Sequence, residues 1–398
     1  MKWVFVFVAV FVSNIALGQK YIADYTVAKE EILRSIPREV IDKARNEFKI
    51  LYIHTSHGTH VTYGLNGLQY YKQGDGELYA VKVVNILQTK VVTAPDSLEL
   101  YDWYGSDLSQ YETTFDEKTR AALDDPKYAD INVVMWSWCS INYHEPAKYY
   151  LPKMKALIEE YGEGGSKIGT GEGQRAKPVK FIFMTGHADS NHNIGEGLPK
   201  NQADIIDDFC NANGYLCLDY FSIESHDMNG NYWDDAGDDS YSRKYRRSED
   251  AVSYYFFQDY QDAHTLGKDY FYNRDINDDI NTGKHVNQHI TANRKAYAMW
   301  WILARLTGWE DTPTTIKDDL KSKNRTNFIF NQNTNEIKLN DFTSGTFTCK
   351  VYSLAGNICF EKRTDSHVIN LSDLRKGMYI VSLQRGNEVI NKKIIINR

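Results

Sequence analysis

The chain has 398 residues, 42% hydrophobic and 25% charged, an ordinary globular composition that excludes disordered, collagen-like and coiled-coil classes and is long enough for two or three separate cores. Lys plus Arg number 46 against 53 Asp plus Glu, and the resulting charge of −7 repels phosphate backbones, so nucleic acid is not an expected partner. Aromatic residues reach 13%, with 28 Tyr and 8 Trp, a supply that suits sugar-stacking surfaces as well as Tyr-rich cores.

Residues 1–18 place Lys2 ahead of the apolar run 3–12 and the small-residue pattern Ala16-Leu17-Gly18 before Gln19, which reads as a cleaved signal peptide. The run is shorter than the ~20 apolar residues needed to cross a bilayer, and no later stretch approaches that length. An exported protein without a transmembrane segment is therefore expected. Export implies an oxidising compartment, yet Cys139, Cys210, Cys217, Cys349 and Cys359 are too few and too scattered for a disulfide framework. Their odd number leaves at least one thiol unpaired; a bridge between Cys210 and Cys217, the nearest pair, stays open.

From 19 to 309 short apolar runs at 49–53, 130–135, 179–184 and 215–218 alternate with helical spacing at 147–161, 201–211 and 291–306. Such alternation predicts an α/β domain built on a doubly wound parallel sheet, whose sites lie beyond the strand C-termini. Three strand ends carry chemistry: His54-Thr55-Ser56-His57-Gly58, Trp136-Ser137-Trp138-Cys139-Ser140 and Thr185-Gly186-His187-Ala188-Asp189. Ser56 precedes a turn and a helix, where a hydroxyl serves as a nucleophile or a helix cap. His289 stands just ahead of a helix with Thr291 as its expected N-cap, from where an imidazole can reach the first strand and take the Ser56 proton.

Ser early and His late, before the final helix, resembles SGNH-type hydrolases of the GDSL-like superfamily. Ser56-His57-Gly58, Trp136 to Cys139, Thr185-Gly186-His187, the stretch 221–227 and the run 293–309 resemble a secreted subgroup of it. The resemblance implies a flavodoxin-like fold and a serine esterase acting on small esters or acylated carbohydrate, with Ser56 as nucleophile and His289 as base. The chain departs from the superfamily at three places. His54-Thr55-Ser56 replaces Gly-Asp-Ser, the Gly-x-Asn oxyanion element is not legible near Trp138, and Val286 stands where the acid orienting His289 belongs. Replacements expected from the sequence are the Ser56 N–H and Asn142 for the oxyanion, Asp189, Asp227 or Asp279 for the acid, and His285 as an alternative base, with His187 completing the candidate site.

Asp227, Asn229, Asn231, Asp235 and Asp238 space oxygen side chains along one loop in a manner that suits a structural calcium or a solvated acidic loop. A rival reading gathers His54, His57, His187 and His289 around zinc, and another leaves a degenerate domain that only binds polysaccharide. No organic cofactor is expected, because the glycine-rich stretch 162–173 lacks the Gly-Lys-Ser/Thr ending of a P-loop.

Residues 310–327 are polar and read as a linker. Beyond them, alternating runs at 348–354, 369–371, 379–383 and 392–396, with a turn at Gly356-Asn357, predict a small all-β sandwich over 328–398. Val351-Tyr352-Ser353-Leu354-Ala355-Gly356-Asn357, Ile369-Asn370-Leu371-Ser372-Asp373-Leu374 with Lys376-Gly377-Met378-Tyr379-Ile380-Val381, and Lys392-Lys393-Ile394-Ile395-Ile396 resemble the C-terminal sorting domain of type IX secretion cargo. That resemblance implies handling by the type IX machinery of a Bacteroidetes-type bacterium, passage through the periplasm and across the outer membrane, and release or surface attachment.

Overall fold

The computed structural model describes residues 21–87, 96–245, 254–310, 327–331, 334–340, 346–353, 358–385 and 388–396. The expected signal peptide, most of the expected linker and the Gly356-Asn357 turn lie outside them. The chain divides into two compact units, residues 1–311 and 312–398.

In the first unit seven parallel strands form one sheet in the order β1 (Ile22–Ala23), β7 (Cys217–Leu218), β6 (Lys180–Met184), β5 (Val133–Trp136), β2 (Lys49–His54), β4 (Leu98–Tyr104) and β3 (Val81–Asn85). The expected α/β class and parallel sheet are present. The order reverses between β2 and β5, and in open α/β sheets a crevice forms at such a switch point beyond the strand C-termini.

Side chains alternate across each strand, and both faces are covered. Ile50, Tyr52, Val133, Met135, Ile182 and Met184 pack on one face with the helices Thr59–Leu68 and Ile290–Leu306. Leu51, Ile53, Val134, Trp136, Phe181 and Phe183 pack on the other with the helices Phe115–Asp124, Tyr150–Tyr161 and Pro199–Asn213. Burial on both faces explains why β2, β5 and β6 read as continuous apolar runs. Strand β4 escapes that pattern because buried Glu99 and Asp102 interrupt it; Tyr101 Oη donates to Glu99 at 2.5 Å, and Asp102 is hydrogen-bonded by His54. Strand β1 is two residues long, too short for any periodicity.

One cap differs from expectation. The last helix begins at Ile290 with His289 at its N-cap, while Thr291 is buried in the first turn with its hydroxyl unbonded. The His289 N–H is met by Gln261 Oε1 at 2.6 Å, so a side chain from another helix does the capping.

The second unit contains two antiparallel sheets, β11 (Ile358–Thr364), β10 (Phe347–Ser353), β13 (Gly377–Arg385) and β14 (Glu388–Ile396) in one, and β12 (Val368–Asn370), β9 (Glu336–Asn340) and β8 (Asn327–Asn331) in the other. Ile337 and Ile369 from the smaller sheet share a core with Cys349, Val351, Val381 and Ile394 from the larger. Among the described residues no helix is long and apolar enough to cross a membrane.

Candidate active site

The C-terminal ends of β2, β5 and β6 meet at the switch point. After His54 the chain makes a 3₁₀ turn over Ser56–Gly58 and enters the helix Thr59–Leu68. Only glycine fits at position 58, since an added Cβ would stand 2.3 Å from His54 Cβ. This tight turn exposes Ser56 in part and turns His57 inward, and the backbone N–H of Ser56, at the first position of the turn, has no intrahelical acceptor. Cys139, half-buried, follows β5, and His187 follows β6.

These residues form one line of contacts. Ser56 Oγ lies 3.3 Å from Cys139 Sγ, Cys139 Sγ lies 3.4 Å from His57 Nδ1, and His57 Nε2 lies 2.8 Å from Asp238 Oδ2. Asp238 arrives from the acidic loop, which is tied to the end of β6 by a bridge between Asp189 and Gly237. Burial pushes the His57 imidazole down to about 4, with the Asp238 contact pulling it back and the nearby His187 and His285 lowering it further. Burial raises Asp238, yet its bond to His57 holds it below the usual carboxylate range. A neutral His57 beside an ionised Asp238 donates from Nε2 and leaves the Nδ1 lone pair facing the thiol.

His57 is also the centre of a stack. The His187 ring lies parallel to it at 3.8 Å between centroids, and the His285 ring covers its other face at 4.3 Å. His285 adopts a left-handed backbone, φ 69, which imidazole residues tolerate better than most. The His187 Nδ1–H donates to the Ala188 carbonyl at 2.7 Å, which leaves Nε2 as its free nitrogen.

The structure places the remaining sequence candidates apart from this line. Ser56 is bonded to the Cys139 thiol, not to His289. His289 Nδ1 accepts the Asn273 N–H at 3.2 Å and its ring meets Tyr272 edge-on at 5.1 Å. Asn142 gives its side-chain N–H to Asp189, and Asn142 Oδ1 is buried without a partner. Asp279 is exposed and its N–H donates to Asp275. His54 is buried against Asp102 and Thr55.

The three carboxylates among the five oxygen ligands expected on the acidic loop are taken by other partners. Asp227 accepts the Asn229 and Asn231 N–H groups, the Asn231 amide and the Trp233 indole. Asp235 accepts the Ser242 hydroxyl and the Arg243 N–H, and Asp238 is the partner of His57. Among the described residues the convergent set of metal-ligand atoms is instead His57, His187 and Asp238, within 4.8 Å of one another. Stacking keeps the in-plane lone pairs of the two rings parallel, so a cation between them requires one ring to rotate.

Sequence reasoning did not assign the thiol of Cys139 or the acid Asp238 to this line. Cys139 carried one usable signal, its position directly after a switch-point strand. Asp238 carried none, because it meets His57 across 181 residues. Cys210 and Cys217 are both buried and unbridged.

Residues 331–397 match the secretion system C-terminal sorting domain. The tail is a type IX secretion signal. The chain is therefore exported by that route to the cell surface or beyond, as its last strands implied. No curated protein matches the chain.

Proposed function

We propose that the α/β unit is an exported ester hydrolase working through a covalent acyl intermediate, with Cys139 rather than Ser56 as nucleophile. The observation that carries this reading is the continuous line Asp238–His57–Cys139, which gives a nucleophile, a base facing it and an acid holding the base. A thiol beside Ser56 is a poor base for a hydroxyl, whereas an imidazole beside a thiol is a good one. Ser56 then serves as a hydrogen-bond donor to the sulfur.

In this mechanism His57 Nδ1 takes the thiol proton as Sγ attacks the ester carbonyl carbon. The backbone N–H of Ser56 stabilises the oxyanion, and its hydroxyl, released from the sulfur once the C–S bond has formed, turns to the same oxygen. Collapse breaks the bond to the alcohol, which leaves with the proton from His57. Water, deprotonated by His57, then attacks the thioester, releasing the acid and restoring the thiol. Acylated carbohydrate remains the substrate class we favour, because Tyr104, the last residue of β4, and Tyr143, in the loop after β5, are both exposed and offer flat faces for sugar rings.

A metal-dependent hydrolase is the second reading, favoured by the convergence of His57, His187 and Asp238. Hydrolysis of p-nitrophenyl acetate separates the possibilities. Cys139→Ala is expected to lower kcat by roughly 1,000-fold or more and Ser56→Ala by about tenfold to 100-fold. The reverse ranking makes Ser56 the nucleophile. Activity lost to a chelator and restored by zinc supports the metal reading, and wild-type inactivity with retained glycan binding leaves a binding domain.

A further inference from the structure

Behind the imidazole stack lies a polar cluster that the chemistry above does not use. Lys295, on the inner side of the last helix, and Glu224, on the helix Tyr220–Ser225, form an ion pair at 2.6 Å with both side chains fully buried. Burial pushes Glu224 up to about 7 and Lys295 down to about 8, and each partner's charge pulls the other back. Such a pair adds little net stability over apolar packing. Its connections suggest what it does instead.

Three routes lead from Lys295 to the site. Glu224 accepts the Ala188 N–H at 2.9 Å through its second oxygen, fixing the residue next to His187. Lys295 Nζ lies 2.9 Å from His60 Nδ1, and His60 Nε2–H donates to the Lys284 carbonyl at 2.8 Å, fixing the residue next to His285. The ammonium also sits 3.7 Å over the Tyr220 ring, whose hydroxyl lies 2.6 Å from both the His57 carbonyl and His60 Nδ1 and so ties the two histidine segments together. Burial and the neighbouring Lys295 keep His60 well below its ordinary value, so it carries the single proton this arrangement requires. One cation thus reaches all three segments that present the stacked rings, and those segments come from loops distant in sequence.

We propose that Lys295 is the positioning residue of the site: through Glu224, His60 and Tyr220 it sets the stack that aims His57 Nδ1 at the Cys139 thiol. This inference rests on the reading of His57 as the base for Cys139. Displacement of a catalytic group by about 1 Å typically costs about 100-fold in rate.

The experiment follows iodoacetamide alkylation of Cys139 at pH 7 by peptide mass spectrometry, with exposed Cys359 as an internal control, alongside p-nitrophenyl acetate kinetics. Tyr220→Phe, which removes one hydroxyl and leaves the ion pair, is expected to slow Cys139 alkylation and lower kcat by about tenfold, with KM and Cys359 unchanged. Lys295→Met is expected to lower both by about 100-fold. Should that variant not fold, Lys295→Met with Glu224→Gln removes the buried uncompensated charge and keeps an acceptor for Ala188. Wild-type alkylation and kcat in Tyr220→Phe and in a folded Lys295 variant overturn the proposal. Slowed alkylation in a chain that hydrolyses no ester supports the positioning role and counts against the hydrolase reading alone.

Discussion

Two imidazoles of the α/β unit, one buried and one half-buried, stand in opposite circumstances. His57, in the turn after β2, is pushed down to about 4 and is flanked by a thiol and a carboxylate. His289, at the start of the last helix, is pushed down to about 4 by burial alone, and its Nδ1 is taken by a backbone N–H. Burial makes both neutral near pH 7, and neutrality is necessary for a base. It is not sufficient, because the lone pair must face a proton worth removing and the other nitrogen must be held.

The contrast can be broken most sharply by deleting each ring. His57→Ala is expected to lower kcat for p-nitrophenyl acetate by roughly 10,000-fold, and His289→Ala by less than about threefold. Comparable losses would erase the distinction. The pH profile sharpens it further. His57 must be neutral to act, so activity is expected to persist down to about pH 4 and to fall about tenfold per unit below it, if the protein stays folded; a limb near 6.5 would show an unburied base.

The smallest effect is on stability. A histidine whose value drops from 6.5 to about 4 on folding favours the native state fully above pH 6.5, and that contribution is lost as the pH falls through 4. For His57 the loss amounts to about 3 kcal/mol at most, and for the less buried His289 to less. Urea midpoints between pH 7 and 4 measure it. His289→Phe is expected to remove only the smaller share of this dependence while leaving the acid limb of activity in place.

What the sequence made legible follows from range. The strand ends at Ser56, Cys139 and His187 were readable because β2, β5 and β6 are buried on both faces, and the tail was readable because its short alternating runs keep their order and spacing. The partnership of His57 with Asp238 was not readable, since no local pattern records a contact made by a loop folding back across 181 residues. Asp238 instead looked like one oxygen in a periodic acidic loop. The expected pair of Ser56 with His289 came from their order along the chain, and the structure sends the two side chains to different partners. His285, held as the alternative base, stacks on His57 rather than bonding to Ser56.

Trapping the acyl intermediate tests the central claim most directly. The protein is mixed with an activated ester of slow turnover, quenched in acid and digested for mass spectrometry. An acyl group on the peptide carrying Cys139, absent in Cys139→Ala, is the expected result; the same group on the peptide carrying Ser56 contradicts it.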